Sequence, residues 1–392
     1  MTRSQTSFHA VVVGGGLVGK CAALALSQAG MRVALLAQPA APAPEPGAGS
    51  FDARVYALSA SSQALLENLR IWQAIDVSRL GPVYDMRVFG DAFAELHFSA
   101  FQAAVPQLAW IAEASLIEHA LDAALRFLPQ LQWREARAAK LLTTDAAATL
   151  TLDDGSLLTT ELVIGADGAH SWVRAQIGAE TTCRDYGQTG VVANFRIARP
   201  HGETAFQWFK DGEIIALLPL PGDYVSLVWS AHTERAAQLL AMDGEVLAAE
   251  VERATGGEVG AMQCVTAARG FPLARQDVDR LIGPRAVLIG DAAHLIHPLA
   301  GQGMNLGLRD VASLTEVLRQ KQSFRDFGDA TLLRRYERSR REDIRSLTLA
   351  TDGLQRLFTL PGTLAQGVRN AGMALLGKQS LLKRWLITQA LG

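Results

Sequence analysis

Cysteine is scarce in this chain of 392 residues, and the three present, Cys21, Cys183 and Cys264, stand far apart. Three isolated thiols form no disulfide framework and no zinc spacing, which fits a reducing compartment. Charge is sparse as well. Asp, Glu, Lys and Arg make up 19% of the residues and sum to a formal −2, so nothing here calls for a nucleic-acid partner. No uninterrupted apolar segment reaches the ~18 residues of a membrane-spanning helix. The first apolar run, Ala10–Val13, leads directly into a glycine turn that needs it as a strand, so no cleaved leader is expected. These absences predict a cytoplasmic protein, still free to lie on the inner membrane surface. Apolar residues amount to 49%, enough for a large core or for a surface that meets something apolar. The length suggests two intimately joined domains.

What is plentiful is glycine at strand ends. Phe8–Val13 forms an expected strand, followed by Gly14-Gly15-Gly16-Leu17-Val18-Gly19, a helix bearing Ala22, Ala23, Leu24 and Leu26, and a second strand Arg32–Leu36. This is G-x-G-x-x-G in its β-α-β setting. The first glycine permits the turn, the second lets the backbone reach a pyrophosphate, and the third lets helix and strand pack closely. The acid that usually binds the adenosine ribose is missing. Ala37 holds its place, followed by Gln38, which can offer one hydrogen bond without charge. Modest dinucleotide affinity is the expected result.

A second strand-turn-helix follows at Leu162–Arg174, with Asp167 at the strand end, Ser171 as a helix cap, and Asp167 and Arg174 as expected phosphate or nucleotide contacts. The third is the richest. Ala286–Ile289 reads as a buried strand, and Gly290-Asp291 sits at its carboxyl end, where open α/β sheets bind ligands. His294, His297, Pro298, Gly301-Gln302-Gly303 and Met304-Asn305 follow, and apolar residues at Met304, Leu308 and Val311 give the next helix an inward face. Its first turn offers free N–H groups and positive potential. Arg54, just after a Pro/Ala/Gly loop, is a further candidate at the ligand edge.

Between the motifs the pattern changes. Ser59–Ile75 is expected to be one helix, 86–100 a hairpin, and Ser115–Phe127 an amphipathic helix. Strands at Thr189–Ile197, Thr204–Phe209, Ile214–Leu218 and Tyr224–Trp229 form an inserted antiparallel sheet, a pocket wall over the ligand. Ala236–Thr255 follows as one helix, and the chain is helical from Thr331 onward.

The three glycine motifs in this order resemble the flavin-dependent aromatic hydroxylases of the p-hydroxybenzoate hydroxylase fold. Asp185-Tyr186-Gly187-Gln188, the string His297–Asp310, and Ala350-Thr351-Asp352-Gly353-Leu354 with Arg369-Asn370 narrow the likeness to the ubiquinone-biosynthesis hydroxylases, over residues from about 8 to 390. The resemblance implies an α/β fold: a Rossmann-like FAD-binding domain from 1–75, 105–180 and 280–320, a β-sheet substrate domain from 76–104 and 181–279, and a helical region from 321–392. It implies FAD held by Gly14, Gly16, Gly19, Gln38, Arg54, Asp167 and Asp291, with Pro298 and Gly301, Gln302, Gly303, Met304 and Asn305 along the isoalloxazine. His294 and His297 are candidates to move protons. NAD(P)H or another donor would reduce the flavin. O2 would then form a C4a-hydroperoxyflavin that hydroxylates the ring of a polyprenylated phenol. The family's Glu-Asn-Arg stands here as Glu113-Ala114-Ser115, a second departure at a flavin-holding position.

Apolar and basic residues interspersed between Leu354 and Leu386 suit a membrane surface as well as a core, and other ubiquinone-biosynthesis proteins are possible partners. The sequence leaves open the oligomeric state, a hydroxylase of small soluble aromatics, and a low-turnover scaffold subunit.

Overall fold

The fold is that of a computed structural model, which describes residues 7–38, 50–90, 95–210, 212–296 and 302–359; residues 350 and 354–359 are described by their backbone alone. Five strands form the parallel centre: Leu131–Arg134, Val33–Leu36, Ser7–Val13, Leu157–Gly165 and Ala286–Leu288, in that spatial order. Their side chains are buried along nearly continuous runs, as a sheet covered on both faces requires. Helix Leu17–Gln28 packs on it beside helix Gln302–Arg319. The two helices approach so closely that a Cβ on Gly307 would lie 2.8 Å from Val18 Cγ2. The sheet therefore gathers the carboxyl ends of Ser7–Val13, Leu157–Gly165 and Ala286–Leu288 along one edge, with all three glycine motifs on it.

The second sheet runs Met262–Cys264, Thr181–Ile197, Tyr224–His232, Glu213–Leu220, Thr204–Lys210, Asp85–Phe89 and Glu95–Ser99, with Arg269–Val278 also paired to Thr181–Ile197. The four strands expected to be antiparallel are so, and Asp85–Phe89 of the hairpin joins Thr204–Lys210 in parallel. Val191, Ala193 and Phe195 turn one face toward helices Thr233–Ala241 and Gly244–Ala254, which cover it. A third sheet, Val55–Leu58, Ala109–Glu113 and Gly81–Val83, lies against the opposite face and went unforeseen.

Some helix and strand boundaries differ from expectation. The stripe 59–75 ends its helix at Asn68, because Arg70 turns into the left-handed region at φ 60°. The expected helix 236–255 is two helices, since Asp243 caps a new start by accepting from Val246 N at 2.8 Å. The strand expected from Thr189 begins at Thr181. Helix Ala330–Thr359 closes the described part, and the apolar and basic residues expected to meet a membrane lie almost entirely beyond it, outside the described residues.

Candidate functional site

The first glycine turn divides its work between packing and openness. Gly14 adopts φ +119°, and a Cβ there would lie 2.2 Å from the Ala166 carbonyl oxygen; one on Gly19 would lie 2.1 Å from the Gly14 oxygen. A Cβ on Gly16 would meet nothing within 4 Å. Gly16 is also the cap position of helix Leu17–Gln28, and no side chain caps it. The first N–H groups of a twelve-residue helix thus face open space beside backbone that carries no side chain. That is the donor arrangement a pyrophosphate needs. Ala37 is buried against this turn, with a Cβ on Gly15 placed 2.4 Å from the Ala37 methyl. Gln38 beside it is exposed.

The second motif turns inward. Asp167 accepts from Ser171 Oγ at 2.5 Å and from Val173 N at 3.0 Å, so both carboxylate oxygens cap the helix Trp172–Gln176. Arg174 is buried, and its guanidinium donates to the carbonyls of Ala169 (2.6 Å) and Ala292 (3.1 Å). The expectation that Arg174 meets phosphate is therefore corrected: burial and two carbonyls make it a brace between the second and third motifs. Gln276 completes that brace. Turned so that its oxygen accepts from Arg174 Nη1 (2.8 Å) and its nitrogen donates to Ala169 O (3.0 Å), its amide is fully paired. Its backbone pairs with Leu295 through two hydrogen bonds of 2.9 and 3.0 Å.

The third motif is gripped at both ends. Asp310, fully buried, accepts from Gly290 N (2.8 Å), His294 Nε2 (2.6 Å) and Arg340 Nε (2.7 Å). Burial pushes the Asp310 carboxyl up, but the facing His294 and Arg340 outweigh it and hold the group below the ordinary carboxylate value. His294 is buried in this grip. Asn305 accepts from Ser59 N (3.0 Å) and Ser62 Oγ (2.7 Å) and donates to Ala57 O (2.8 Å). Its side chain thus ties helix Gln302–Arg319 to the start of helix Ala60–Asn68.

Gln302, Gly303 and Met304 form the open first turn of that helix, and a Cβ on Gly303 would meet nothing within 4 Å. His297, Pro298 and Gly301 lie outside the described residues.

Asp291 and Arg54 lie near each other beside these motifs. Solvent reaches both side chains, yet protein crowds Asp291 enough that burial raises its carboxyl, against the pull of His294 and Arg54. Water access together with desolvation is what a carboxylate on a cleft wall experiences. Tyr56 shares this setting. Burial pushes its hydroxyl up to about 12, Arg54 counters, and Glu118, Asp291 and Asp52 add to the rise. The Arg54 guanidinium lies 5.2 Å from the Tyr56 ring centroid.

Several residues that hold this cleft were missed. Glu113, with no exposed side-chain surface, takes a two-point grip from Arg79 (Nε–Oε2 and Nη2–Oε1, both 2.8 Å) and accepts from Asp52 N. Asp52 in turn accepts from Ser115 N and Arg54 N. So where the resemblance expects an arginine at 115, the backbone of Ser115 fastens the Arg54 loop. Asn194 donates to Asp52 O at 2.9 Å from the substrate-side sheet. A single amide inside the apolar run Val191–Phe195 was a usable signal for it, and a Glu at a strand end was one for Glu113. Arg340 sits in an arginine-rich helix and had none.

These features define a flavin-dependent monooxygenase: a Rossmann-like half with an open pyrophosphate cradle, and a sheet laid across its cleft. The FAD binding domain family matches residues 7–351. The chain is 34% identical over 388 residues to the ubiquinone hydroxylase UbiL of Rhodospirillum rubrum, covering 97% of this chain and 89% of that one. It is 33% identical over 394 residues to the 3-demethoxyubiquinol 3-hydroxylase of Escherichia coli, covering all of both. In fold it is similar to the p-nitrophenol 4-monooxygenase of Pseudomonas putida, with TM-score 0.79, 19% identity and 99% of each chain covered. The chain belongs to the ubiquinone-biosynthesis family of FAD-dependent aromatic-ring hydroxylases. Its cofactor is FAD, and its reaction class is monooxygenation with O2.

Proposed function

We propose that the chain hydroxylates the ring of a polyprenylated phenol on the route to ubiquinone, using NAD(P)H as donor. The observation that carries this reading is the uncapped glycine helix on the same sheet edge as Asp291 and Arg54, in a chain alike over its whole length to a 3-demethoxyubiquinol 3-hydroxylase. When bound there and reduced, FAD would supply the oxygen activation that ring hydroxylation needs.

The residues do the rest. Gly14 and Gly19 shape the turn, and the backbone at Gly16 with the helix end binds pyrophosphate. Arg54 and Asp291 orient the middle of the cofactor. Gln302, Gly303 and Met304 offer helix-end N–H groups to negative charge on the ring, and Asn305 fixes that helix. Pro298 and Gly301 stay assigned to the ring side, and His297 to proton movement. Asp167 and His294 act by positioning: one caps the second motif, the other joins the third to Asp310. The small Ala37 and the uncharged Gln38 weaken the adenosine end, so FAD affinity is modest but sufficient.

The division into an FAD-binding part (1–75, 105–180, 280–320) and a substrate part (76–104, 181–279) is supported by sheet membership, with one adjustment. Gly81–Val83 pairs with Ala109–Glu113 and goes with the first part. Among the described residues no helix is long and apolar enough to cross a membrane, and a lipid-tailed substrate favours peripheral contact with one.

Two measurements test the reading. Purified protein mixed with FAD should turn yellow and retain flavin through desalting; a colourless protein favours a scaffold role. Deletion of the gene should cause a polyprenylphenol lacking one ring hydroxyl to accumulate in lipid extracts. Normal ubiquinone without precursor, in a host with no second such hydroxylase, overturns the proposal.

A further inference from the structure

A carboxylate at the end of strand Val33–Leu36 would ordinarily hold the adenosine ribose, and Ala37 stands there instead. The neighbouring parallel strand, Leu131–Arg134, ends at the same edge. The pairing of the two runs one residue past both strands. Val33 N donates to Gln130 O at 2.9 Å where Val33 lies beside Leu131, so each N–H bonds the carbonyl one residue before its lateral neighbour. Ala37 N donates to Arg134 O at 3.1 Å in the same manner. Glu135 is therefore the lateral neighbour of Ala37, about 4.8 Å away across the ladder.

Side chains alternate along a strand, which puts Glu135 on the face of Trp133 and Arg134 on the other. Trp133 lies beside Leu35, two residues before Ala37. Two contacts identify that face. Lys20 Nζ, on helix Leu17–Gln28, lies 5.8 Å from the Trp133 ring centroid. Ala37 packs on the glycine turn, where a Cβ on Gly15 would lie 2.4 Å from its methyl. Glu135 thus emerges on the side of the sheet edge that carries the pyrophosphate cradle. It is exposed, and among the described residues it has no hydrogen bond or ion pair. A second acid on this side, Asp122, is taken by Lys20 at 2.7 Å.

We infer that Glu135 holds the adenosine ribose of FAD, supplying from the adjacent strand the carboxylate that position 37 lacks. The inference rests on the placement of FAD proposed above and adds a cofactor-binding residue to it. The two neighbouring ribose hydroxyls both donate to one carboxylate, and bonds to a charged acceptor are about twice as strong as neutral ones. Gln38 offers only the neutral kind. Glu135 is what keeps the weakened adenosine end sufficient.

The test titrates flavin-free wild type and Glu135→Ala with FAD and with the analogue whose adenosine ribose lacks both hydroxyls, binding being followed by quenching of flavin fluorescence. Wild type should bind FAD about tenfold more tightly than the analogue. Glu135→Ala should bind FAD about tenfold more weakly than wild type and no longer tell the two dinucleotides apart, while the melting temperature of the flavin-free protein stays unchanged. A variant that binds FAD as wild type does, one that loses affinity equally for FAD and the analogue, or a wild type indifferent to the hydroxyls overturns the inference. These titrations read no hydroxylation. A wild type that shows the ribose dependence but hydroxylates no polyprenylphenol sinks the proposed substrate and leaves the ribose contact standing; a wild type that binds no FAD removes both.

Discussion

At Asp310 a single carboxylate holds a backbone N–H, an imidazole and a guanidinium, and Arg340 beside it is 6% exposed. Asp310→Asn keeps the shape but strands the buried cation. Breaking such a pair costs about 3–5 kcal/mol, so denaturant unfolding should show a loss of that order. The carboxyl is held below its ordinary value in the folded state. Its stabilisation is therefore fully present above the unfolded value and is lost as pH falls through the lower folded one. The variant should lack that acid-limb contribution, which unfolding midpoints at neutral pH and below pH 4 (about the unfolded value) will reveal. Single residues were partly legible in the sequence. Gly14, Gly16, Gly19 and Asp291 occur where the motif logic puts them. Asn305 and His294 were found for the right stretch but with their side chains facing protein, because a motif string does not record which way a side chain turns.

The glycine turn makes its own prediction. Ala at Gly14 meets both a positive φ and a carbonyl 2.2 Å from its Cβ, and Ala at Gly19 meets the Gly14 oxygen at 2.1 Å. Both substitutions should lower the melting temperature of the cofactor-free protein. Gly16 has ordinary φ of −70° and free space, so Gly16→Ala should leave that temperature unchanged and weaken FAD binding roughly tenfold by filling the approach. Titration calorimetry beside thermal melts separates the two. Elements were the best-read level of the sequence. Apolar runs and glycine punctuation located the parallel strands and the first helix, though the strand read from Leu162 begins at Leu157. The break at Asp243-Gly244 was missed because helical spacing continues across it, and the cap that restarts the helix is a local hydrogen bond. The third sheet, whose strands are three to five residues long, was missed.

Across the whole molecule, two motifs quoted separately from the sequence meet. Asp352, near the end of helix Ala330–Thr359, faces Arg275 at 3.2 Å and Arg184 at 3.7 Å, beside Tyr186. The ion pairs tie the last described helix to the substrate-side sheet. Asp352→Asn should cost about 1–3 kcal/mol, and hydrogen exchange should rise in residues 343–359 while the parallel sheet stays protected. Such pairings join residues far apart in the chain, and no local pattern announces them. The polar grip on the third motif has a further consequence, in time. Asn305 reaches Ser59, 246 residues away, and Asp310 needs Arg340. Contacts of that sequence separation form late, after the intervening chain has been ordered. On the ribosome the glycine cradle emerges early, while the two ties that hold the flavin-ring end wait for most of the chain. A nascent chain stalled before residue 302 should display the cradle and retain no flavin, so cofactor loading belongs to the released protein and marks completed synthesis.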